Sequence, residues 1–233
     1  NYTANSTTSK NTVLNFSKKL KPTEWLPRIN APVFVKPTED FANSPDAIGH
    51  FPGTGYQVSI NISDAVTHNT AILGILRIGK GYLSIELVER MIAEGIKVTC
   101  LDLTDQYSTL LADFVDLGYQ DAVNQALSDA AKGRLVNQGK DEGGSIHNFN
   151  EGVTTAISAF LAPETQQSIL VFNPAAFRVS KQTTNAYQNQ AAFTDLTPCE
   201  ITAIFSNAAL KACQELGMVD SARACLIYEE AHT

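Results

Sequence analysis

Apolar residues along the chain change their period several times, and each change marks an element. Over residues 57–62 the apolar positions Val58, Ile60 and Ile62 alternate with polar ones, the period of a strand with one buried face. Residues 70–76 carry the unbroken run Ala71-Ile72-Leu73-Gly74-Ile75-Leu76, which predicts a strand buried on both faces. Over residues 82–94 the spacing switches to that of a helix. Leu83, Leu87, Val88, Met91 and Ile92 fall on one face, and Gly95 stands where a helix C-cap is expected. Residues 97–103 return to a strand. Strand, helix and strand in close succession make a βαβ unit and imply a parallel sheet.

The middle of the chain reads as mostly helical, with short helices over residues 109–118 and 120–131 and another over 149–161, which Pro163 follows. Residues 139–145 read as a flexible loop, 168–172 as a buried strand, and the polar stretch 175–195 as a loop or an extended excursion. Pro198–Leu216 predicts a long helix with Thr197 as N-cap and Gly217 at its end. Ala224–Tyr228 is the last strand, running into Glu229-Glu230-Ala231-His232. At the other end, residues 1–12 are rich in Asn, Thr and Ser and read as a tail, and residues 20–46 read as a proline-punctuated connector.

Composition narrows the picture. With 233 residues and 44% hydrophobic content the chain can build one substantial core and an appendage. A net charge of −7 argues against a surface that is basic overall, though not against DNA binding through a few loops of a ring. The four cysteines form no CxxC pair. Cys100 and Cys225 fall in strand-like runs and Cys213 in a helical one, so they read as buried free thiols of a reducing compartment. His50, His68, His147 and His232 show no ligand spacing with them. No run approaches the ~20 apolar residues of a membrane span, and the amino end lacks the apolar core of a signal peptide. A soluble, cytoplasmic protein without a membrane partner is the expectation.

Two segments carry candidate chemistry. Gly74-Ile75-Leu76-Arg77-Ile78-Gly79-Lys80-Gly81 fits the phosphate-loop pattern GxxxxGK, between an expected strand and an amphipathic helix. In that setting backbone N–H groups converge on phosphates and a lysine reaches the β- and γ-oxygens. Gly74, Leu76, Arg77, Ile78, Gly79, Lys80, Gly81 and Tyr82 are the candidate nucleotide-binding residues. Gly81 stands where the pattern wants a hydroxyl that ligates Mg²⁺. Taken alone, the segment also fits, less well, a strand–turn–helix junction with a surface lysine. The second segment, Ala224–Tyr228 followed by Glu229 and Glu230, has the form of a strand that ends in a metal-organising acid and a water-activating acid. Alone it would pass for a solvated strand edge; the two segments together, in this order, favour the nucleotide reading. Asp102 and Asp105 end the strand after the phosphate-loop helix and fit either the lining of the ligand crevice or of a subunit boundary, or a plain helix-capping or solvated role.

With these residues in hand, a family likeness can be stated. Ile48-Gly49, the strand around Val58–Ile62, Thr67-His68-Asn69-Thr70-Ala71-Ile72-Leu73-Gly74, the long helix Pro198–Leu216 and the ending Tyr228-Glu229-Glu230-Ala231-His232 resemble the ATPase core of HerA/FtsK-type P-loop proteins. The resemblance implies an α/β, RecA-like P-loop NTPase core with a mostly parallel sheet flanked by helices. It implies ATP and Mg²⁺ as cofactors, Lys80 as phosphate lysine, Glu230 as catalytic glutamate, and Glu229 as the acid that holds Mg²⁺ through water. It further implies a homo-hexameric ring that couples ATP hydrolysis to movement of double-stranded DNA, with a nuclease or a defence effector as partner. Residues 1–47 are then a tail and connector in place of the family's amino-terminal β-barrel. Residues 48–233 are a partial ATPase domain with a helical insertion at about 107–165, from which the later sensor and arginine residues are missing. As such a piece, the chain is expected to be inactive by itself. Gly81 departs from the family's hydroxyl residue, which keeps a second expectation open: a nucleotide-binding scaffold with weak hydrolysis that partners an effector.

Overall fold

The computed structural model of the protein describes residues 46–50, 57–74, 78–132, 136–137, 140–141, 144–184, 191–217 and 220–229, all within the unit that spans Asn43–Thr233. In chain order these form β1 (Ala47–His50), β2 (Gln57–Ser59), α1 (Ile62–Val66), α2 (Lys80–Ala93), β3 (Lys97–Leu101), α3 (Tyr107–Leu110), α4 (Leu117–Lys132), β4 (Val136–Asn137), β5 (Lys140–Asp141), α5 (Ile146–Leu161), β6 (Ile169–Phe172), β7 (Ser180–Thr184), β8 (Ala191–Asp195), α6 (Pro198–Leu216) and β9 (Ala224–Tyr228).

The centre is a three-stranded parallel sheet, ordered β6-β3-β9, flanked by helices, so the chain is an α/β protein. Side chains alternate across it with period two. Val98 and Cys100 of β3, Ile169 and Val171 of β6, and Cys225 and Ile227 of β9 enter one apolar cluster with α1, α2 and Tyr107. Leu101 of β3, Leu170 and Phe172 of β6, and Ala224 and Leu226 of β9 enter the other, with α5, α6 and the end of α4. Both faces are covered, which is why the strands read as continuous apolar runs.

Local signals set the helix ends. The Thr197 side chain accepts from the Glu200 N–H while the Glu200 carboxylate accepts from the Thr197 N–H, a capping box that starts α6, with Pro198 in the first turn. Helix α5 starts at Ser145, buried, whose Oγ accepts the Ser180 N–H at 3.0 Å, while the Ser145 N–H donates to Ser180 O at 3.0 Å. That exchange ties α5 to the start of the β7–β8 hairpin. The expected loop or excursion at 175–195 is therefore a short 3-10 turn at Pro174–Ala176 and an antiparallel hairpin. Its Thr-rich strands suit a ribbon that needs no continuous apolar face. Within the expected flexible loop at 139–145, Lys140–Asp141 pairs with Val136–Asn137.

Two expectations at the start of the domain are corrected. The strand expected over 57–62 ends at Ser59, because Asn61 accepts the Asp64 N–H and starts α1, burying Ile62 against α2. Of the buried strand expected over 70–76, residues 70–74 belong to no strand and Leu73 is 88% exposed, while 75–77 lie outside the described residues. An apolar run becomes a buried strand only where a sheet edge receives it, and among the described residues neither β6 nor β9 pairs with this one. The expected βαβ unit is thus present as α2 followed by β3. The parallel sheet is completed instead by β6 and β9, reached through α5 and α6.

Candidate functional site

Helix α2 leaves the loop at Gly79, whose φ of 99° is a left-handed backbone that strains any side chain. With glycine there, no side-chain hydrogen bond caps the helix. The first N–H groups of α2 and the positive end of its dipole are left for an external acceptor. At the other end of the loop, a Cβ on Gly74 would sit 2.7 Å from Ile78 Cγ2, so glycine allows the chain to close on itself. Lys80 reaches back across this turn and donates from Nζ to Gly74 O at 3.0 Å. Ile78 and Tyr82 project outward, 63% and 82% exposed. A Cβ at Gly81 would find only Gln106 Oε1, 4.0 Å away. An open groove of about 480 Å³ runs beside the turn, lined by Ala47, Ile48, Gly79, Tyr82, Leu83 and Glu86. Leu76 and Arg77 lie outside the described residues.

The carboxyl end of β3 is organised by Asp102. Its buried carboxylate accepts the Thr104 N–H and hydroxyl at 2.8 and 2.7 Å on Oδ1, and the Tyr107 N–H at 2.7 Å on Oδ2. Of the two readings open for Asp102, the structure gives the cap, since it anchors the amino end of α3. Asp105, with φ 57°, accepts from Asn173 Nδ2 at 3.0 Å and so joins the tips of β3 and β6.

Asp102 thereby turns Tyr107 into the α2-side cluster, where its ring is only 2% exposed. The Tyr107 hydroxyl donates to Glu229 Oε2 at 3.3 Å and meets the hydroxyl of Ser84, one turn into α2. Ser84 itself donates to Lys80 O at 3.1 Å. Burial first, and the Glu229 charge besides, push the Tyr107 phenol well above its ordinary value, so it stays protonated and acts as the donor to the carboxylate. Glu229 is held from behind by its N–H on Leu101 O at 3.0 Å, which carries the β3–β9 ladder one residue past the strand. Tyr228, before it, points to the opposite face, where its hydroxyl donates to Ser206 Oγ at 2.8 Å. Alternation thus puts Glu229 on the face of the sheet that α2 covers. Glu230 lies outside the described residues.

The structure therefore brings the Lys80 end of α2 and Glu229 to the same end and the same face of the sheet, with the hydroxyls of Ser84 and Tyr107 side by side between them. Sequence reasoning missed Ser84 and Tyr107. Neither belongs to a motif, and the one available signal was Asp102 and Thr104 announcing a loop that returns to the sheet. As a donor set, the uncapped turn and Lys80 fit a phosphate chain. For a cation the described residues offer the Glu229 carboxylate and no group of three or more His, Cys, Asp or Glu side chains. Further ligands would have to come from phosphate oxygens and water, as is common for Mg²⁺. Burial raises the thiols of Cys100 and Cys225, the latter to about 11, which leaves them protonated and unreactive at neutral pH.

These features define an α/β protein with a candidate anion-binding turn at the carboxyl end of its parallel sheet. No known family model, no curated protein and no solved structure matches the chain. Among the described residues, no helix is long and apolar enough to cross a membrane.

Proposed function

We propose that this chain carries the ATP-binding core of a P-loop ATPase of the HerA/FtsK type, working as a homo-hexameric ring on double-stranded DNA. The observation that carries the reading is the convergence of the uncapped Gly79–Lys80 turn with Glu229 across the tips of β3 and β9. The α2 N–H groups and Lys80 bind the phosphates. Tyr82, at the rim of the open groove, offers an aromatic face to the base. Glu229 orients water in the shell of Mg²⁺, and Glu230, the next residue, takes the role of base for the attacking water. When bound, the nucleotide supplies the phosphoanhydride bond and its Mg²⁺ spreads the phosphate charge.

The test is a titration of the chain with Mg²⁺–ATP, against Lys80→Ala. Loss of one charge-assisted phosphate contact should weaken binding about 10- to 100-fold. Equal affinity in the two proteins would discard the nucleotide reading. The DNA part is tested separately, by stimulation of ATP turnover with double-stranded DNA in the assembled protein.

Gly81 favours a second reading, a nucleotide-binding scaffold with weak hydrolysis that partners a nuclease or a defence effector. The space around position 81 admits a side chain, so Gly81→Ser adds a hydroxyl without forcing a neighbour aside. A large rise in turnover would support a weakened native site. Unchanged turnover would mean that the cation is held by other groups.

A further inference from the structure

Tyr107 takes no part in either motif, yet its hydroxyl touches Glu229 of one and lies beside Ser84, a turn after the other in α2. Its ring is locked in the α2-side core and its main chain is pinned by the buried Asp102, so the hydroxyl has little freedom. That hydroxyl lies between Ser84, a turn inside α2, and Glu229 Oε2, at the end of β9. Ser84 in turn is bonded to the carbonyl of Lys80, the first residue of α2. The Ser84 proton goes to Lys80 O and the Tyr107 proton to Glu229, so the two hydroxyl oxygens are neighbours, and it is the Tyr107 hydroxyl that holds Glu229 beside the first turn of α2.

We infer that Tyr107 is a positioning residue that sets the orientation of the Glu229 carboxylate against the start of α2, and through it the affinity of the nucleotide site for its divalent cation. This rests on the nucleotide reading above and deepens it. The physical reason is that a carboxylate with one oxygen fixed by a rigid donor presents the other along a defined direction. With that donor removed it is held less tightly and spends more ordering entropy when a hydrated cation arrives. A plain core tyrosine needs a partner for its hydroxyl and nothing more. The two roles differ in whether removing the hydroxyl changes cation binding.

The experiment uses Tyr107→Phe, which keeps the ring and deletes one oxygen. ATP binding to the 233-residue chain is followed by fluorescence of a labelled nucleotide, first without divalent ion and then with increasing Mg²⁺ at fixed nucleotide. The expected result is unchanged Mg²⁺-free binding and an Mg²⁺ midpoint raised about 10-fold. Ser84→Ala should move the midpoint the same way by less. In a Glu229→Gln background, Tyr107→Phe should add little, because the two act as one unit. Equal Mg²⁺ midpoints for the parent and Tyr107→Phe would overturn the positioning role while leaving the nucleotide site standing. Full additivity with Glu229→Gln would overturn it as well. If the parent chain bound no nucleotide under either condition, the nucleotide reading and this one would fall together.

Discussion

The two faces of the central sheet are built differently. On the α5–α6 face four phenylalanines pack as a unit. Phe205 lies 4.6 Å from Phe172, 6.0 Å from Phe177 and 6.1 Å from Phe149 between ring centroids. Around them Val153, Ile157 and Phe160 are fully buried, and α6 starts on a capping box. The α2 face is mostly aliphatic and smaller, and its buried polar groups include the Asp102 carboxylate and the Tyr107 hydroxyl. It also tolerates an uncapped helix and, beside it, outward-facing Leu73, Ile78 and Tyr82. The difference teaches a division of labour. One face concentrates apolar burial, and the other can hold backbone groups and carboxylates in place for a ligand.

Breaking the aromatic unit should have the largest effect. Phe205→Ala removes a fully buried ring with three aromatic neighbours and is expected to cost about 3–5 kcal/mol. On the other face Leu87→Ala, at 6% exposure, should cost about 2–3 kcal/mol. Urea unfolding of both variants measures the gap. Equal costs, or a larger cost for Leu87→Ala, would show that the α2 face carries as much of the stability as the aromatic one.

The same contrast explains what could be read from the sequence. β3, β6 and β9 were legible because a strand covered on both faces must be apolar throughout. α6 was legible because Thr197, Pro198, Glu200 and Gly217 mark its ends with local chemistry. The run at 70–76 has the same composition as those strands, but pairing is a non-local property and the residues do not encode a neighbour. The hairpin at 180–195 was illegible for the opposite reason: pairing supplied what its polar composition did not suggest. In the candidate site, Lys80 and Glu229 were visible as motif members. Tyr107 was not, since its place depends on Asp102 bending the chain back between two strand tips.

A smaller effect is expected at the seam between the faces. Among the described residues β6 is an edge strand, and Gln120 of α4 pairs its outer side at Val171 as a strand residue would. Its Nε2 donates to Val171 O at 2.9 Å and its Oε1 accepts the Val171 N–H at 2.9 Å. This buried amide pairs both outward backbone groups of Val171. Gln120→Leu would leave both Val171 groups unpaired, at a cost of about 1–3 kcal/mol. Hydrogen exchange at the Val171 amide should speed up along with the loss in urea stability. Undiminished protection of that amide would mean that α4 shields the edge by packing alone.

The smallest effect, and the one that sharpens the contrast through pH, concerns Glu200. The Lys181 ammonium that hydrogen-bonds it, joined by the Thr197 N–H and hydroxyl, lowers its carboxyl from 4.5 to about 2. A carboxyl that is more acidic in the folded chain adds stability when ionised in both states, above its unfolded value. That contribution fades as pH falls from about 4.5 toward 2, where the folded group takes up its proton. The site is open to solvent, so water and salt screen the pair and its share is modest. Glu200→Gln should therefore lower the urea midpoint slightly at neutral pH, and the gap from the parent should close between pH 4.5 and 2. Added salt should narrow the neutral-pH gap. A gap that stayed constant down to pH 2 would show that Glu200 steadies the start of α6 through hydrogen bonds that glutamine cannot reproduce at any pH, and not through its charge.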